Sequence, residues 1–258
     1  MTKIEWTDET WNPVTGCTKI SPGCEHCYAR RMAQRLAGRC GYPRDDPFRV
    51  ILHEETLDKP LHWRKPRRVF VCSMGDLFHE NVPDEYRIQV FNRCVAAPRH
   101  TFQILTKRPA NALRYYQGRP ALPNVWLGVS PEDQERADQR IPVLMECPAA
   151  VRFVSVEPML GPVDLTPWLY RTREIELADD GAHIRRNRIL PALDWVICGC
   201  ETGPGARAMD PNWARSLRDQ CVAAGVPFFL KRLSDGSRLL DEQEWDEYPQ
   251  EARRCLSE

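Results

Sequence analysis

Three cysteines lie within eleven positions of one short stretch, GCTKISPGCEHCYARRMA, which covers residues 16–33. Six residues separate Cys17 from Cys24, and two separate Cys24 from Cys27. Pro22 and Gly23 favour a turn in the first gap, so the last two thiols lie close enough together to grip one metal centre. A helical stretch begins at the next residue, Tyr28. The spacing therefore indicates metal chemistry at the N-terminus of a helix.

The residues alone leave three interpretations of this loop open. A zinc site normally has four ligands, and His26 or Cys40 could supply the fourth. The thiols could instead be buried structural groups. The third interpretation is a 4Fe–4S cluster held by three thiolates, with one iron left for a substrate or cofactor. An open coordination position is typical of a catalytic metal rather than a structural one.

Composition narrows the class of protein. The 258 residues carry 36 basic and 36 acidic side chains, so net charge predicts no general attraction to nucleic acid. The sequence has no apolar run near 18 residues, and its polar start does not resemble a signal peptide. We therefore expect a cytoplasmic protein with no membrane partner. Eleven cysteines in such a chain favour thiols and metal sites over disulfides.

Short apolar segments recur along the chain and alternate with helical ones. They lack clean polar alternation, as is typical of parallel strands buried on both faces. With a first strand just before Cys17, they predict an α/β fold with six to seven core strands. We predict a partial or complete parallel (β/α) barrel, with an open doubly wound sheet as the alternative. The apolar segments are 68–74, 102–107, 125–130, 152–158, 194–200 and 226–232, and the main helical ones are 84–97, 130–147 and 210–225.

The predicted domain organisation is simple. Residues 1–233 are expected to form one domain, because no low-complexity linker interrupts them. Residues 159–193 are rich in turn formers and are interpreted as an insertion near the active face, with a short hairpin. Residues 234–258 are interpreted as a solvated C-terminal extension.

Polar or small residues follow each predicted strand at once. In a parallel α/β fold these positions meet at one face, where barrel enzymes place their active sites. The alternative is that loops are simply polar wherever strands end. The positions concerned are Ser73, Gly75, Asp76, Lys107, Arg108, Ser130, Glu132, Glu157, Cys200, Glu201 and Lys231.

The cysteine loop and the α/β pattern resemble the radical S-adenosylmethionine (SAM) superfamily, whose usual first gap is three residues rather than six. More narrowly, five phrases resemble the phage three-cysteine-motif family of radical-SAM-like proteins. This likeness spans roughly residues 4–232. The phrases are TWNPVTGCTKISPGCEHCYA, RVFVCSMGDLFHE, ILTKRP, FVSVEPMLGP and CETGPGARAMDPNW.

The resemblance implies a 4Fe–4S cluster bound by Cys17, Cys24 and Cys27, with SAM chelating the open iron. Such enzymes reduce the cluster, cleave SAM to methionine and a 5′-deoxyadenosyl radical, and abstract hydrogen from a substrate. They require an electron donor of the flavodoxin or ferredoxin type. A phage-encoded member would work in the host cytoplasm.

Several further residues are assigned by the same resemblance. Asp76 is expected to face the amino group of SAM, and Lys107 or Arg108 its carboxylate. Candidates for a catalytic role are Glu157, Cys198 and Cys200. The full set expected to contact the cofactor is Ser73, Gly75, Asp76, Lys107, Arg108, Gly199 and Glu201.

The sequence constrains the substrate less than it constrains the cofactors. By family analogy we hypothesise a (hyper)modified thymine in phage DNA and an isomerase reaction. The basic runs WRKPRR (63–68) and IRRNR (184–188) are compatible with a nucleic-acid or modified-nucleotide partner, although such runs usually form solvated surfaces. The alternatives are a non-enzymatic zinc-binding α/β protein and a radical-SAM DNA-repair lyase.

Overall fold

The computed structural model describes residues 4–179, 182–190 and 192–249, and its regular elements are numbered in chain order. The strands are β1 Glu9–Trp11, β2 Val14–Thr15, β3 Ile51–Leu52, β4 Arg68–Val71, β5 Thr101–Thr106, β6 Val125–Val129, β7 Val151–Val156, β8 Arg171–Asp179, β9 Ala182–Leu190, β10 Trp195–Gly199, β11 Phe228–Arg232, β12 Leu239–Leu240 and β13 Gln243–Glu244. The helices are α1 Tyr28–Arg35, α2 Lys59–His62, α3 Asp84–Ala96, α4 Pro109–Tyr116, α5 Gln134–Glu146, α6 Thr166–Leu169 and α7 Pro211–Ala224.

Seven strands form one parallel sheet in the order β1-β4-β5-β6-β7-β10-β11. Neighbours in the sheet follow one another along the chain, so the sheet curls steadily in one direction into a half-barrel. The predicted partial parallel barrel with six to seven strands is confirmed, and the doubly wound alternative is wrong. In the described part of the chain β1 and β11 do not pair, which leaves the barrel open on one side.

All six predicted apolar segments are strands of this sheet, but the position of the first strand was predicted wrongly. The residues just before Cys17 form β2, which pairs antiparallel with β3 outside the main sheet. The first strand of the sheet is β1, which pairs with β4. Pro13 separates the two short strands, and a proline cannot donate a ladder hydrogen bond.

Alternating residues of each sheet strand face two different cores. Residues such as Val69 and Val71 pack against the helices. The residues between them face the concave side, where Trp6, Trp126, Phe153, Trp195 and Phe229 belong to an aromatic cluster near the beginnings of the strands. This cluster fills the concave side near the N-terminal ends of the strands, so the space that remains lies at their C-terminal ends.

The main helices lie within the predicted segments, although α5 begins at Gln134 rather than at the start of segment 130–147. The Asp210 side chain accepts a hydrogen bond from the Asn212 amide at 2.8 Å and caps α7, whose first residue is Pro211. Gly225 ends the helix with φ 68°. Asp133 caps α5 in the same way through the Arg136 amide, at 2.9 Å. Both helices pack on the convex side of the sheet.

The predicted insertion and extension both contain regular structure. Within 159–193, β8 and β9 pair as an antiparallel hairpin from Arg171 and Leu190 to Asp179 and Ala182. The extension packs on the barrel: the Trp195 indole donates to the Glu247 carbonyl at 2.8 Å, and the Tyr248 ring lies 5.2 Å from that of Trp195. Residues 250–258 of the predicted extension lie outside the described residues. Among the residues described, no helix has the length and apolar character needed to cross a bilayer.

Candidate functional site

A cleft of about 250 Å³ opens at the C-terminal ends of the strands, with the cysteine loop along one side. It is the place where the sequence predicts the site. Eleven of the predicted site residues line it, whereas Cys198 and Gly199 do not. The lining residues are Cys17, Cys24, Cys27, Ser73, Gly75, Asp76, Lys107, Arg108, Glu157, Cys200 and Glu201.

Gly16 brings the start of the cysteine loop against the barrel. Its φ of 85° lies in the left-handed region, and a Cβ there would lie 1.9 Å from the Arg49 carbonyl oxygen. Its amide donates to the Met74 carbonyl at 2.9 Å, and the next amide, of Cys17, donates to the Phe48 carbonyl at 3.1 Å. Only glycine permits this close backbone approach, which fixes the position of Cys17.

Glu132, at the end of β6, anchors the middle of the cysteine loop. Its buried carboxylate accepts from the Ser21 hydroxyl at 2.7 Å and pairs with Lys107 at 2.9 Å and Arg140 at 3.0 Å. A Cβ at Gly23 would lie 2.3 Å from the Glu132 Cγ, so the loop packs directly on this side chain. Burial alone would raise the pKa of the Glu132 carboxyl, but the two cations outweigh it and hold that pKa below its usual range.

We expect Glu132→Gln to lower the free energy of unfolding by about 3 kcal/mol, because the change leaves the buried Arg140 and the partly buried Lys107 without their counter-charge. Urea unfolding at neutral pH measures the difference. Glu135→Gln is the matched control, since that carboxylate is 65% exposed in its pair with Arg136 and should contribute less than about 0.5 kcal/mol. Equal shifts in the two variants would contradict the anchoring role of Glu132.

Arg207 holds the same loop from the opposite side. Its guanidinium donates to the Pro22 carbonyl at 2.9 Å and to the Glu25 carboxylate at 3.0 Å. It also binds both carboxylate oxygens of Glu201, at 2.6 and 3.0 Å. Burial would raise the pKa of Glu201, but Arg207 keeps it below the ordinary value. Glu201 therefore lines the cleft while its charge is used to hold the loop.

Asp76 and Arg108, both predicted to contact SAM, bind each other at 3.4 Å. Asp76 also accepts from the Thr106 hydroxyl at 2.8 Å. Arg108 also pairs with Glu80 at 3.0 Å and donates to the Cys17 sulfur at 3.3 Å. Their direct contact with SAM stays a prediction. In the structure they fix the wall between β4 and β5 and connect it to Cys17.

The three thiols line the cleft without converging on a single-ion site among the described residues. Within the described ranges no three His, Cys, Asp or Glu side chains close on a point where one ion would bind. A tetrahedral zinc site needs such convergence, whereas in a cluster each thiolate binds a different iron. Cys40, one candidate for a fourth ligand, is exposed and does not line the cleft. Burial, with a contribution from Asp76, raises the pKa of the Cys17 thiol to about 11, so binding a metal there would release a proton.

Of the two cysteines predicted to face the site, Cys200, which directly follows β10, lines the cleft, whereas Cys198 within β10 does not. Side chains alternate along the strand, so Gly199 faces the concave side and Cys198 faces the helices. Cys198 is fully buried, with its sulfur 3.7 Å from that of Met159. Cys200 lines the cleft, but its thiol donates to the Leu233 carbonyl at 3.2 Å. Burial raises the pKa of both thiols, which favours their neutral form.

A family model described as "Protein of unknown function (DUF5131)" matches residues 1–249, nearly the whole chain. The chain belongs to the DUF5131 family. Comparison with curated proteins gave no match, and comparison with solved structures gave none either. The function of this DUF5131 protein has therefore to be argued from its own residues.

Two basic runs are compatible, by sequence, with nucleic-acid contacts. In the DUF5131 structure WRKPRR leads into the N-terminal end of β4, away from the cleft. Arg67 pairs with Glu9 at 2.6 Å and Arg68 with Asp8 at 2.9 Å. These contacts favour the interpretation of a surface run. The other run, 184–188, lies in β9, and its side chains are outside the described part of the chain.

Sequence reasoning missed one ion pair of the DUF5131 cleft. Glu157, at the end of β7, lines the cleft and pairs with Lys231 of β11, which the sequence identifies only as a polar residue at a strand end. Burial alone would lower the pKa of Lys231, but Glu157 raises it above the ordinary value. The only signal in the sequence is a lysine in an inward-facing position of a strand that otherwise places apolar residues there.

Proposed function

We propose that this DUF5131 protein is a radical SAM enzyme that binds a 4Fe–4S cluster through Cys17, Cys24 and Cys27. The observation that carries the proposal is the position of three free thiols of one loop on the cleft at the C-terminal end of a parallel half-barrel. When bound, the cluster and SAM supply a 5′-deoxyadenosyl radical that abstracts hydrogen from the substrate.

The residues of the chain position the cofactors and shield them. Gly16, Glu132 and Arg207 hold the loop so that the three thiols stay at the cleft. The Arg108 guanidinium donates to the Cys17 sulfur, and hydrogen bonds to cluster sulfurs tune the reduction potential. Ser73 and Gly75 remain the residues proposed for the methionine end of SAM. The aromatic cluster below the cleft excludes water from beneath.

The proposed substrate is a modified thymine in phage DNA, and the proposed reaction is an isomerisation. Family resemblance is the main support for this part of the proposal. A DNA-repair lyase using the same cofactors is separated from an isomerase by assaying photodamaged DNA against modified-thymine DNA.

The deciding experiment is anaerobic purification, iron and sulfide analysis, and EPR of the reduced protein with and without SAM. We expect about four irons and four sulfides per chain and an EPR signal that changes when SAM is added. Stoichiometric zinc, with no cluster after reconstitution, would contradict the proposal and leave a zinc-binding protein.

The surface beside the cysteine loop is suited to an acidic electron donor. Residues 28–44 contain five arginines and no acidic residue, although the whole chain is neutral. Among the residues described, none of these arginines has a carboxylate within ion-pair distance, and neither has the nearby Lys19. Flavodoxin-type donors are acidic, and complementary charge speeds association. We propose that the electron donor docks here, next to the cluster ligands.

Arg35→Glu with Arg39→Glu is expected to slow cluster reduction by reduced flavodoxin about 10-fold at low salt. Reduction by dithionite, which needs no docking, should be unchanged. Stopped-flow absorbance measures both rates. Arg64→Glu with Lys65→Glu is the matched control, because these exposed residues lie near the other end of the sheet. Equal slowing in both double variants would assign the effect to net charge and contradict a docking site.

A further inference from the structure

Glu157 lies on the side of the cleft formed by the second half of the sheet and pairs with Lys231, which is partly exposed but is not itself among the residues that line the cleft. Glu157 lines the cleft, and the two side chains are 22% and 21% exposed. Gly199 of β10 lies between their strands, and a Cβ there would be 3.3 Å from the Glu157 carboxyl carbon and 3.4 Å from the Lys231 Cβ. Glycine at this position therefore leaves room for the pair.

This pair has more unused hydrogen-bonding capacity than Asp76, Arg108 and Glu201, which also line the cleft. Lys107 lines it too, but its partner Glu132 is already bound by Ser21 and Arg140. Asp76, Arg108 and Glu201 each bind two or more protein groups. Among the described residues, Glu157 and Lys231 bind only each other. An ammonium has three donors and a carboxylate about four acceptor sites, so both partners are left able to bind a ligand.

The geometry of the pair selects a particular kind of ligand. A carboxylate next to an ammonium offers an acceptor and a donor side by side, with no net charge to be balanced. Its complement is a neutral group with an N–H and a C=O that point in the same direction. A trans peptide directs these two groups to opposite sides, whereas a ring holds its amide cis. Pyrimidine rings such as thymine carry this cis-amide edge.

We propose that Glu157 and Lys231 bind the cis-amide edge of a ring in the substrate. The ring N–H donates to the Glu157 carboxylate, and the ring carbonyl accepts from the Lys231 ammonium. The identification of this ligand as the substrate rests on the proposed function, but the binding geometry rests on the pair alone. Recognition by the pair would place the ring beside β7 and β11. The cysteine loop comes after β1 and β2 in the chain, and β1 is the opposite edge strand of the sheet.

The test is equilibrium dialysis of the full chain with thymidine and with 3-methylthymidine, which lacks the ring N–H. It is run on cluster-loaded protein with SAM and on iron-free protein. We expect 3-methylthymidine to bind at least about 10-fold more weakly, since a hydrogen bond to a charged group is lost. Glu157→Gln and Lys231→Met should each weaken thymidine binding about 10-fold.

Glu9→Gln serves as the matched control, because it removes a carboxylate charge from an ion pair near the opposite ends of the strands. Its affinity for thymidine should equal that of the wild type. Equal binding of thymidine and 3-methylthymidine would overturn the inference. So would competition by glycine stronger than that by thymidine, which would indicate a site for an amino-acid group.

The two proposals fail in distinguishable ways. Selective binding of thymidine by a chain that assembles no cluster would support the pair as a binding site and contradict the radical SAM function. A normal cluster signal that responds to SAM, without discrimination between the two nucleosides, would contradict the inference and leave the proposed function in place.

Discussion

The Cys24→Ala variant is expected to retain less than about a tenth of the wild-type iron and to give no EPR signal on reduction. A cluster with one open iron has only three protein ligands, so the loss of one leaves two irons without a thiolate. Cys24 is partly exposed in a loop, which makes general unfolding a weak explanation for such a loss. Iron and sulfide analysis after anaerobic reconstitution measures the effect, and circular dichroism checks the fold.

Cys40→Ala is the matched control for this prediction. Cys40 is an exposed thiol outside the cleft, so its removal should leave iron content and EPR signal at wild-type levels. Loss of metal from Cys40→Ala as well would indicate a four-ligand site that includes Cys40. That result would favour zinc and count against the three-thiolate cluster.

The Gly16→Ala variant is expected to lose at least about 4 kcal/mol of unfolding free energy and to bind little iron. Its Cβ would lie 1.9 Å from the Arg49 carbonyl oxygen and 2.4 Å from the carbonyl carbon, both backbone atoms that cannot move aside alone. The φ of 85° adds its own penalty for a residue with a Cβ. Urea unfolding gives the stability, and iron analysis reports on the loop.

The Gly118→Ala variant separates the cost of the clash with Arg49 from the cost of the left-handed backbone conformation. Gly118 has a similar φ of 72°, but a Cβ there would meet nothing within 4 Å. This variant should lose only about 1–2 kcal/mol, the cost of the left-handed backbone conformation itself. If both variants lost the same amount, the close approach of the cysteine loop to Arg49 would have no energetic consequence.

Much of the architecture was predictable from local patterns. Segments such as 125–130 are apolar throughout because both faces of a parallel strand are buried, and this property can be read from the sequence. The Asp210 side chain caps the start of helix α7, and the left-handed backbone of Gly225 ends it. Both effects involve only neighbouring residues. The first sheet strand was misplaced because Pro13 divides a short extended region, and a local pattern does not show which part joins the sheet.

The location of the candidate site was predictable from the sequence, but the hydrogen bonds and ion pairs between its residues were not. Parallel strands bring their C-terminal ends to one face, so Cys17, Asp76 and Glu157 were expected to meet there, and they line one cleft. The prediction that Cys198 faces the cleft was wrong, because the side of the sheet on which a residue lies depends on where the alternation of β10 begins. A shift of one residue exchanges the inward and outward faces of a strand.

The sequence by itself determined six of the seven sheet strands, the main helices, the parallel α/β class and the cysteine spacing, because each follows from short-range pattern or chain connectivity. The choice of an open half-barrel over a complete barrel or a doubly wound sheet came from the strand order of the structure. Only the tertiary structure decided which charges meet. Glu132 anchors Ser21 across 111 positions, and Lys231 pairs with Glu157 across 74. Such contacts depend on the curvature and register of the whole sheet. A side chain's own residue type does not reveal its distant partner, so these interactions emerge only when the strands are assembled.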